Sequence, residues 1–177
     1  MAVPQEFVAL NATSFDVKAF DCGKPDMNKF LAKNAAKHMG QGLSSSWVLP
    51  AEFPKGKERS PIAAYYTLAM GTVAKDDVPT EAGLGSLPGY PVPVAKLARL
   101  AVSVDLQNQR YGEKTLIYAL RHAAKMTASG AGLPAAALVL DILDADAKGF
   151  YDRFEFFHEL GGDPMKLFVP MRVVREL

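Results

Sequence analysis

The segment KLARLAVSVDLQNQRYGEKTLIYAL, residues 96–120, decides the fold because it is typical of a strand, a turn and a helix in succession. Residues 97–104 are apolar and suit a β-strand, residues 107–112 are polar and end in a glycine, and apolar side chains recur at helical spacing from Glu113 onward. Such a unit directs free backbone N–H groups and the positive end of the helix dipole toward the turn, which suits a phosphate or pyrophosphate. Many turns of this kind bind nothing, so the geometry alone favours a purely structural turn.

Composition sets the broad class of protein. The chain has 177 residues, of which 49% are apolar and 22% charged, so it is long enough for one domain with a sizeable core. Its formal net charge is +1, so no whole-molecule field attracts nucleic acid, and any such binding must use a local patch. The single cysteine, Cys22, excludes an internal disulfide and fits a reducing compartment.

Several kinds of site and location are not expected. The sequence has no Cys/His set with metal-ligand spacing and no serine in a nucleophile elbow. It has no apolar run of about 18 residues, so no membrane span is expected. The N-terminus lacks the basic start and apolar stretch of a signal peptide, so we expect the protein to be cytoplasmic.

The rest of the chain contains further strand and helix patterns. One helix is predicted from Pro25, which suits a first helical turn, to His38, and another from Asp144, a suitable N-cap, to Phe154. Segment 76–93 is rich in Pro and Gly and is expected to be a long loop. The other predicted strands are residues 6–11, 44–50, 62–70, 135–142, 155–158 and 166–169, of which 135–142 is apolar enough for a buried parallel strand.

Three lysines at four-residue intervals, Lys29, Lys33 and Lys37, form a stripe along the first predicted helix, beside its apolar face. One interpretation is a solvated helix edge, which is the ordinary role of such charges. The other is an electrostatic contact with a polyanion. The spacing favours the first interpretation and leaves the second open.

The segment LARLAV, the polar turn and the Leu/Ala-rich helix together resemble the core of the GNAT acetyltransferases. In that superfamily a Q/R-x-x-G-x-G/A turn holds the pyrophosphate of acetyl-CoA. Gln107 matches the first position and Gly112 the last, whereas Arg110 stands where the middle glycine is expected. An arginine lacks glycine's close backbone approach, but its side chain is able to reach a phosphate oxygen. The resemblance therefore implies an acetyl-CoA site with one altered position.

A narrower resemblance, to the GNAT-type toxins of bacterial toxin–antitoxin systems, rests on the segment FDCGKPDMNKFL at residues 20–31. These toxins commonly carry F-x-C-G, then a leucine or methionine, an asparagine and a Phe-Leu pair. Residues 63–68, AAYYTL, resemble their central G-Y-Y-x-L strand, with Ala64 in place of the glycine. A free cysteine such as Cys22 is usually a small buried thiol, and we expect that role here. The matching positions are Phe20, Cys22, Gly23, Met27, Asn28, Phe30 and Leu31.

The segment FYDRFEF at residues 150–156 resembles the F-Y-x-x-x-G-F signature of the same toxins, with Glu155 in place of the glycine. In these toxins the matching tyrosine, here Tyr151, is the usual general acid. Amine attack on a thioester leaves a thiolate that must be protonated, and a phenol with a pKa of about 10 keeps its proton at pH 7. Position alone would instead favour a core aromatic residue whose hydroxyl finds a partner.

No residue stands out as a general base, since His38, His122 and His158 lie in ordinary helix or strand contexts. At pH 7 a lysine amine is neutral in about one molecule in 2,500, whereas an α-amine is neutral in roughly a tenth or more. An α-amine therefore has much less need of a dedicated base. This favours an α-amino acceptor, in agreement with the aminoacyl-tRNA that the toxin resemblance implies.

The resemblance covers roughly residues 20–169 and implies an α/β fold: a single GNAT domain over residues 1–177, with a mixed, splayed β-sheet flanked by helices. It implies acetyl transfer from acetyl-CoA to aminoacyl-tRNA, a DNA-binding antitoxin as partner, and a homodimer. The alternatives are an acetyltransferase for a small amine or a protein amine, and a non-catalytic acyl-CoA-binding interaction protein. Besides Tyr151, the expected site residues are Leu100, Ala101, Val102, Gln107, Asn108, Arg110, Gly112, Glu113 and Asp144 for the cofactor, and Lys29, Lys33, Lys37 and Arg99 for the substrate.

Overall fold

A computed structural model describes residues 3–53 and 55–177 of the chain. Within these ranges one sheet contains the strands β1 (Val8–Ala9), β2 (Ser45–Pro50), β3 (Ile62–Val73), β4 (Val92–Val102), β5 (Ala137–Asp141), β6 (His158–Leu160) and β7 (Asp163–Pro170). Their order across the sheet is β1-β2-β3-β4-β5-β7-β6. β4 pairs parallel with β5, whereas the β1–β2, β2–β3, β5–β7 and β6–β7 pairs are antiparallel, so the predicted mixed sheet is confirmed.

The helix predicted from Pro25 continues to Gly40, but its middle turn is a π-turn, Phe30–Asn34. Its predicted apolar face is confirmed, since Met27, Phe30 and Leu31 are buried. The π-turn was not predicted, because its residues have the same apolar spacing as an α-helix. The α-helices are α1 (Pro25–Lys29), α2 (Ala35–Gly40), α3 (Tyr111–Met126), α4 (Ala145–Tyr151) and α5 (Met171–Val174).

Two boundaries of the central strand differ from the prediction. β4 begins at Val92 rather than residue 97, because Pro93 is tolerated as the second residue of the strand. It ends at Val102, since Val104 begins a 3-10 turn, Val104–Leu106. The core strand is therefore longer toward its N-terminus than its apolar run.

The prediction was also wrong at three other boundaries. α4 ends at Tyr151, and the backbone N–H of Phe154 closes a turn onto the Tyr151 carbonyl at 3.0 Å, so Phe154 lies beyond the helix. β6 begins at His158, which leaves Glu155 in the preceding turn rather than in a strand. β1 has only two residues, because its ladder with β2 extends over just two residue pairs.

The parallel ladder between β4 and β5 is short. It joins three residue pairs, of which Val94↔Ala137 is the first and Lys96↔Val139 the last. β4 then continues to Val102, while β5 continues to pair with β7 as far as Asp141. The two parallel strands therefore separate after Lys96, in agreement with the predicted splay.

The described residues divide into two compact units, and β3 and β4 contribute residues to both. The first unit contains the residues up to Ala69 together with Arg99–Ala119, and the second contains Met70–Ala98 together with Leu120–Leu177. The prediction of a single domain stays a prediction. The described chain contains no helix that is both long and apolar enough to cross a membrane. The first unit's core includes Leu10, Phe15, Phe20, Met27, Leu31, Val48 and Tyr65, and the second unit's includes Ala82, Val94, Ala137, Val139 and Phe168.

The segment expected to be a long loop, residues 76–93, is more ordered than predicted. It overlaps two 3-10 turns, Lys75–Asp77 and Thr80–Ala82, and Ala82 is fully buried. Arg172 donates a hydrogen bond to the Ala82 carbonyl at 2.7 Å, which ties the segment to the second unit. The sequence pattern missed this order because the turns are too short to show periodicity.

Candidate active site

The turn between β4 and α3 has the backbone that its glycine-like motif requires, although two of its residues are not glycine. Asn108 has a φ of 60° and Arg110 a φ of 66°, both in the left-handed region. Asparagine tolerates this conformation, whereas for arginine it costs roughly 1–2 kcal/mol. Arg110 therefore adopts the conformation expected of the motif's middle glycine, at a cost that a glycine would avoid.

The side chain of Arg110 points to the surface of this turn. It is 85% exposed, and its guanidinium lies 3.4 Å from the carboxylate of Glu113 in the first turn of α3. An exposed pair of this length contributes little to stability. A guanidinium held this loosely at a helix N-terminus is able to move to a phosphate oxygen.

The Gln107 side chain is used by the protein itself. Its amide nitrogen donates hydrogen bonds of 2.9 Å to the carbonyl of Val102, at the end of β4, and of 2.9 Å to the carbonyl of Cys22. Both amide hydrogens therefore hold the turn in place. The sequence predicts that Gln107 contacts the cofactor, and this contact stays a prediction. The side-chain oxygen and the backbone of Gln107 are the groups that would make the contact.

The loop that contains Cys22 is held by a small polar network. Asp21 accepts hydrogen bonds of 2.8 Å from the backbone of Gly23 and 2.8 Å from the Asn28 amide, and these donors lower the pKa of the Asp21 carboxyl. The Asn28 oxygen accepts from the backbone N–H of Cys22 at 2.9 Å. Cys22 itself is 6% exposed, and burial raises the pKa of its thiol. This agrees with its predicted role as a buried thiol.

Leu100, Ala101 and Val102 occupy the part of β4 that lies beyond its last pair with β5. Ala101 and Val102 are buried and Leu100 is half-buried. Pantetheine contains two amide groups, and their pairing with the backbone of this stretch, which the resemblance implies, stays a prediction. Together with residues 107–113, these residues belong to the first unit.

Tyr151 ends α4 in the second unit and lies in a closed ring of aromatic contacts. Its ring centroid is 5.0 Å from that of Phe150 and 6.0 Å from that of Phe157. The Phe156 ring centroid lies 4.7 Å from that of Phe157 and 5.7 Å from that of Phe154. The Phe154 centroid lies 5.4 Å from that of Phe150, which completes the closed set of contacts. The sequence pattern missed this closure because Phe156 and Phe157 follow the end of the helix.

The Tyr151 hydroxyl differs from an ordinary buried phenol. Tyr151 is 8% exposed, and burial raises the pKa of its phenol well above the ordinary value. No group within the two described ranges hydrogen-bonds to its hydroxyl. Tyr65, by contrast, is fully buried and donates to the Met27 carbonyl at 2.8 Å. A core tyrosine normally has such a partner. Tyr151 has none among the described residues, so its protonated hydroxyl is an unused hydrogen-bond donor.

Asp144 is the N-cap of α4, as predicted. Its carboxylate accepts a hydrogen bond from the backbone N–H of Ala147 at 2.9 Å. This bond satisfies one of the free donors at the start of the helix. The contact with pantetheine that the resemblance implies for Asp144 stays a prediction.

The predicted substrate residues all lie in the first unit. Lys29, Lys33 and Lys37 are exposed. Arg99 is half-buried, and its guanidinium carbon lies 4.7 Å from the centroid of the Phe30 ring, between Lys29 and Lys33 in sequence. The first unit therefore contains the four cationic residues and the turn, whereas Tyr151 and Asp144 belong to the second unit.

A strand that separates from its parallel neighbour, followed by a turn that exposes a helix N-terminus, defines the GNAT class of acyl-CoA-dependent acetyltransferases. Solved structures have the same fold. A tyrosine-to-phenylalanine mutant of KacT has a TM-score of 0.82 at 23% identity, covering 97% of both chains. AtaT complexed with acetyl-methionyl-tRNAfMet has a TM-score of 0.82 at 21% identity, again covering 97% of both chains.

A curated relative narrows the class. The tRNA-acetylating toxin of Mycobacterium tuberculosis (strain ATCC 25618 / H37Rv) is 32% identical over 163 residues, which cover 92% of this chain and 90% of that protein. No family model matches the chain. The chain belongs to the tRNA-acetylating toxins, the GNAT-type toxins of toxin–antitoxin systems.

Proposed function

We propose that this protein transfers acetyl from acetyl-CoA to the α-amine of aminoacyl-tRNA and so blocks translation. The observation that carries the proposal is the hydroxyl of Tyr151, a buried side chain whose pKa is raised by burial, since this hydroxyl has no hydrogen-bond partner among the described residues. A general acid needs a donor that no protein acceptor uses. The name of the curated relative, a tRNA-acetylating toxin, supports the same acceptor.

The reaction follows from these groups. The neutral α-amine attacks the thioester carbonyl, a C–N bond forms, and the C–S bond then breaks. Tyr151 donates its proton to the leaving thiolate, so coenzyme A leaves as a thiol. The attacking nitrogen loses one proton, which returns the phenol to its protonated form through solvent. No dedicated base is required, because roughly a tenth or more of an α-amine is neutral at pH 7.

Acetyl-CoA is the acetyl donor, and the first unit offers groups that fit it. The backbone of Leu100, Ala101 and Val102 would pair with the pantetheine amides. The turn from Gln107 to Glu113 would hold the pyrophosphate on backbone N–H groups, with the guanidinium of Arg110 as an added cation. Solved structures of AtaT include a complex with acetyl-CoA.

The acceptor tRNA would contact the exposed lysine stripe and Arg99, since these cationic residues belong to the same unit as the turn. The chain's net charge of +1 gives no general attraction, so a local patch must supply it. A tRNA-bound structure is known for AtaT, as its acetyl-methionyl-tRNAfMet complex. We infer a cytoplasmic location, because charged tRNA is found there.

We also propose an antitoxin partner and a homodimer. AtaT has been solved bound to the C-terminus of the antitoxin AtaR, and the KacTA and AtaT–AtaR complexes have been solved bound to DNA. A DNA-binding antitoxin is the corresponding partner for this chain. Co-expression with the neighbouring reading frame tests it, because an antitoxin would restore growth and co-purify.

The function is tested by mixing the purified protein with acetyl-CoA and a pool of charged tRNA and measuring thiol release. We expect release that requires the charged pool, and none with uncharged tRNA. Release with small amines or proteins instead would support the alternative acceptors. Acetyl-CoA binding with no release would leave a non-catalytic binding protein, which the left-handed Arg110 makes the second candidate.

A further inference from the structure

The turn before α3 depends on contacts from outside itself. Asn108 and Arg110 both have left-handed backbones without being glycine. Such conformations persist only where the surrounding structure holds them. The contacts that hold residues 104–110 therefore determine where the turn's backbone N–H groups point.

Two of these contacts come from consecutive carbonyls in the loop before α1. The carbonyl of Asp21 accepts from the backbone N–H of Val104 at 2.9 Å. The carbonyl of Cys22 accepts from the Gln107 amide at 2.9 Å. The same amide nitrogen also donates to Val102, so Gln107 joins this loop to the end of β4. All of these residues belong to the first unit.

The position of the two carbonyls is set by Asn28, in α1. The oxygen of its amide accepts from the N–H of Cys22 at 2.9 Å, and the nitrogen donates to the Asp21 carboxylate at 2.8 Å. The same Asp21 oxygen accepts from the N–H of Gly23, whose φ of 81° suits a glycine. The Asn28 amide therefore holds the Asp21–Cys22 peptide unit directly, and it holds the Cys22–Gly23 unit through the Asp21 carboxylate.

We propose that Asn28 and Asp21 are positioning residues for the acyl-CoA turn. They hold the carbonyls of Asp21 and Cys22, which in turn hold Val104 and Gln107 and so aim the backbone N–H groups at the pyrophosphate. Neither side chain has to contact the cofactor. This rests on the proposed function only in taking coenzyme A as the ligand of the turn.

The test is a double-mutant cycle on coenzyme A affinity. Asn28→Ala removes the support at one end, Gln107→Ala removes it at the other, and each is expected to raise the Kd for coenzyme A about fivefold, the effect of one hydrogen bond. Because both side chains act on the Cys22 carbonyl, while only Gln107 also holds Val102, the combined loss of affinity in the double variant is expected to fall well short of the product of the two single losses. Two independent contributions would instead multiply, to about 25-fold.

A matched control separates positioning from general loss of stability. Asn11 also holds a loop of the first unit, since its side chain accepts from the backbone and hydroxyl of Thr13 at 2.9 and 2.6 Å, and neither of these hydrogen bonds involves the turn. Asn11→Ala is expected to leave the Kd for coenzyme A unchanged. In Asn28→Ala the KM for acetyl-CoA should rise, while kcat and the KM for charged tRNA stay within about twofold.

The outcomes are distinct. A folded Asn28→Ala variant that binds coenzyme A as tightly as the wild type overturns the positioning role, as does a fully multiplicative cycle. Wild-type protein that binds coenzyme A without acetylating tRNA overturns the proposed acceptor and leaves the positioning role standing. Wild-type protein that does not bind coenzyme A overturns both.

Discussion

At the scale of single residues, two of the three positions that depart from the family motifs, Arg110 and Glu155, behave differently. Arg110 replaces a glycine and still adopts a left-handed backbone, so the departure is borne as strain in the turn. Glu155 replaces a glycine in the turn before β6, where its side chain is exposed. Only the first departure touches the groups that would bind the cofactor.

Replacing Arg110 separates its backbone cost from its charge. Arg110→Gly and Arg110→Ala both remove the guanidinium, but only alanine keeps the left-handed penalty. We expect the glycine variant to be more stable than the alanine variant by about 1 kcal/mol in denaturant unfolding. Both should bind coenzyme A more weakly than the wild type, since both lose a cation at the pyrophosphate. Equal stability of the two variants would show that the turn is not strained.

The pH profile reports the state of Tyr151. Because burial raises the pKa of this phenol, its proton is retained throughout the range in which charged tRNA can be assayed. The acceptor α-amine instead loses its proton near pH 7.7–8.0. The initial kcat/KM should therefore rise from about pH 6 and level off above about pH 8.5, without a falling limb below about pH 10. A fall between about pH 8 and 9 would show that the acid titrates there and is not a buried phenol.

At the scale of elements, the π-turn in the first helix changes the angles around the helix axis that separate the three lysines of the stripe. In an ideal α-helix, residues eight apart such as Lys29 and Lys37 are separated by about 80° around the axis. A π-turn closes its rings at i→i+5, so each residue turns through a smaller angle. The π-turn Phe30–Asn34 therefore brings the three lysines closer to one line. Phe30, the first residue of this turn, has its ring beside the guanidinium of Arg99.

Neutralising the stripe tests its role in tRNA binding. Lys29, Lys33 and Lys37 changed together to Gln should weaken charged tRNA binding and reduce the slope of log Kd against log salt by up to about 2–3. The affinity for coenzyme A should not change. A control triple, Lys18, Lys57 and Lys75 to Gln, removes the same charge from other exposed positions. Equal effects of the two triples would mean that net charge, not the stripe, governs binding.

The elements that could be predicted are those whose sequence pattern is local. The apolar run before Asp144, the N-cap itself and the apolar face after Pro25 each specify their own structure, and each is confirmed. The π-turn and the early start of β4 at Val92 were missed, because the first has α-helical spacing and the second begins beside a proline.

At the scale of the whole molecule, the sequence patterns indicate candidate site residues but not the contacts between them. A hydrogen bond joins Cys22, in the F-D-C-G motif, to Gln107, in the polar turn, although the two residues are 85 positions apart in the sequence. No local sequence pattern predicts a contact at this separation. The closed set of aromatic contacts that includes Tyr151 was likewise not predicted, since it involves Phe156 and Phe157, which lie beyond the end of the helix.

The most direct measurement is the mass of the aminoacyl-adenosine released by nuclease digestion of charged tRNA after incubation with the protein and acetyl-CoA. We expect a mass increase of one acetyl group on the amino-acid part with the wild type. The Tyr151→Phe variant should give no mass increase. It should unfold at the same temperature as the wild type, because the Tyr151 hydroxyl that it lacks has no hydrogen-bond partner among the described residues. An unmodified product with active, acetyl-CoA-bound wild type, or full acetylation by a folded Tyr151→Phe variant, would contradict the account.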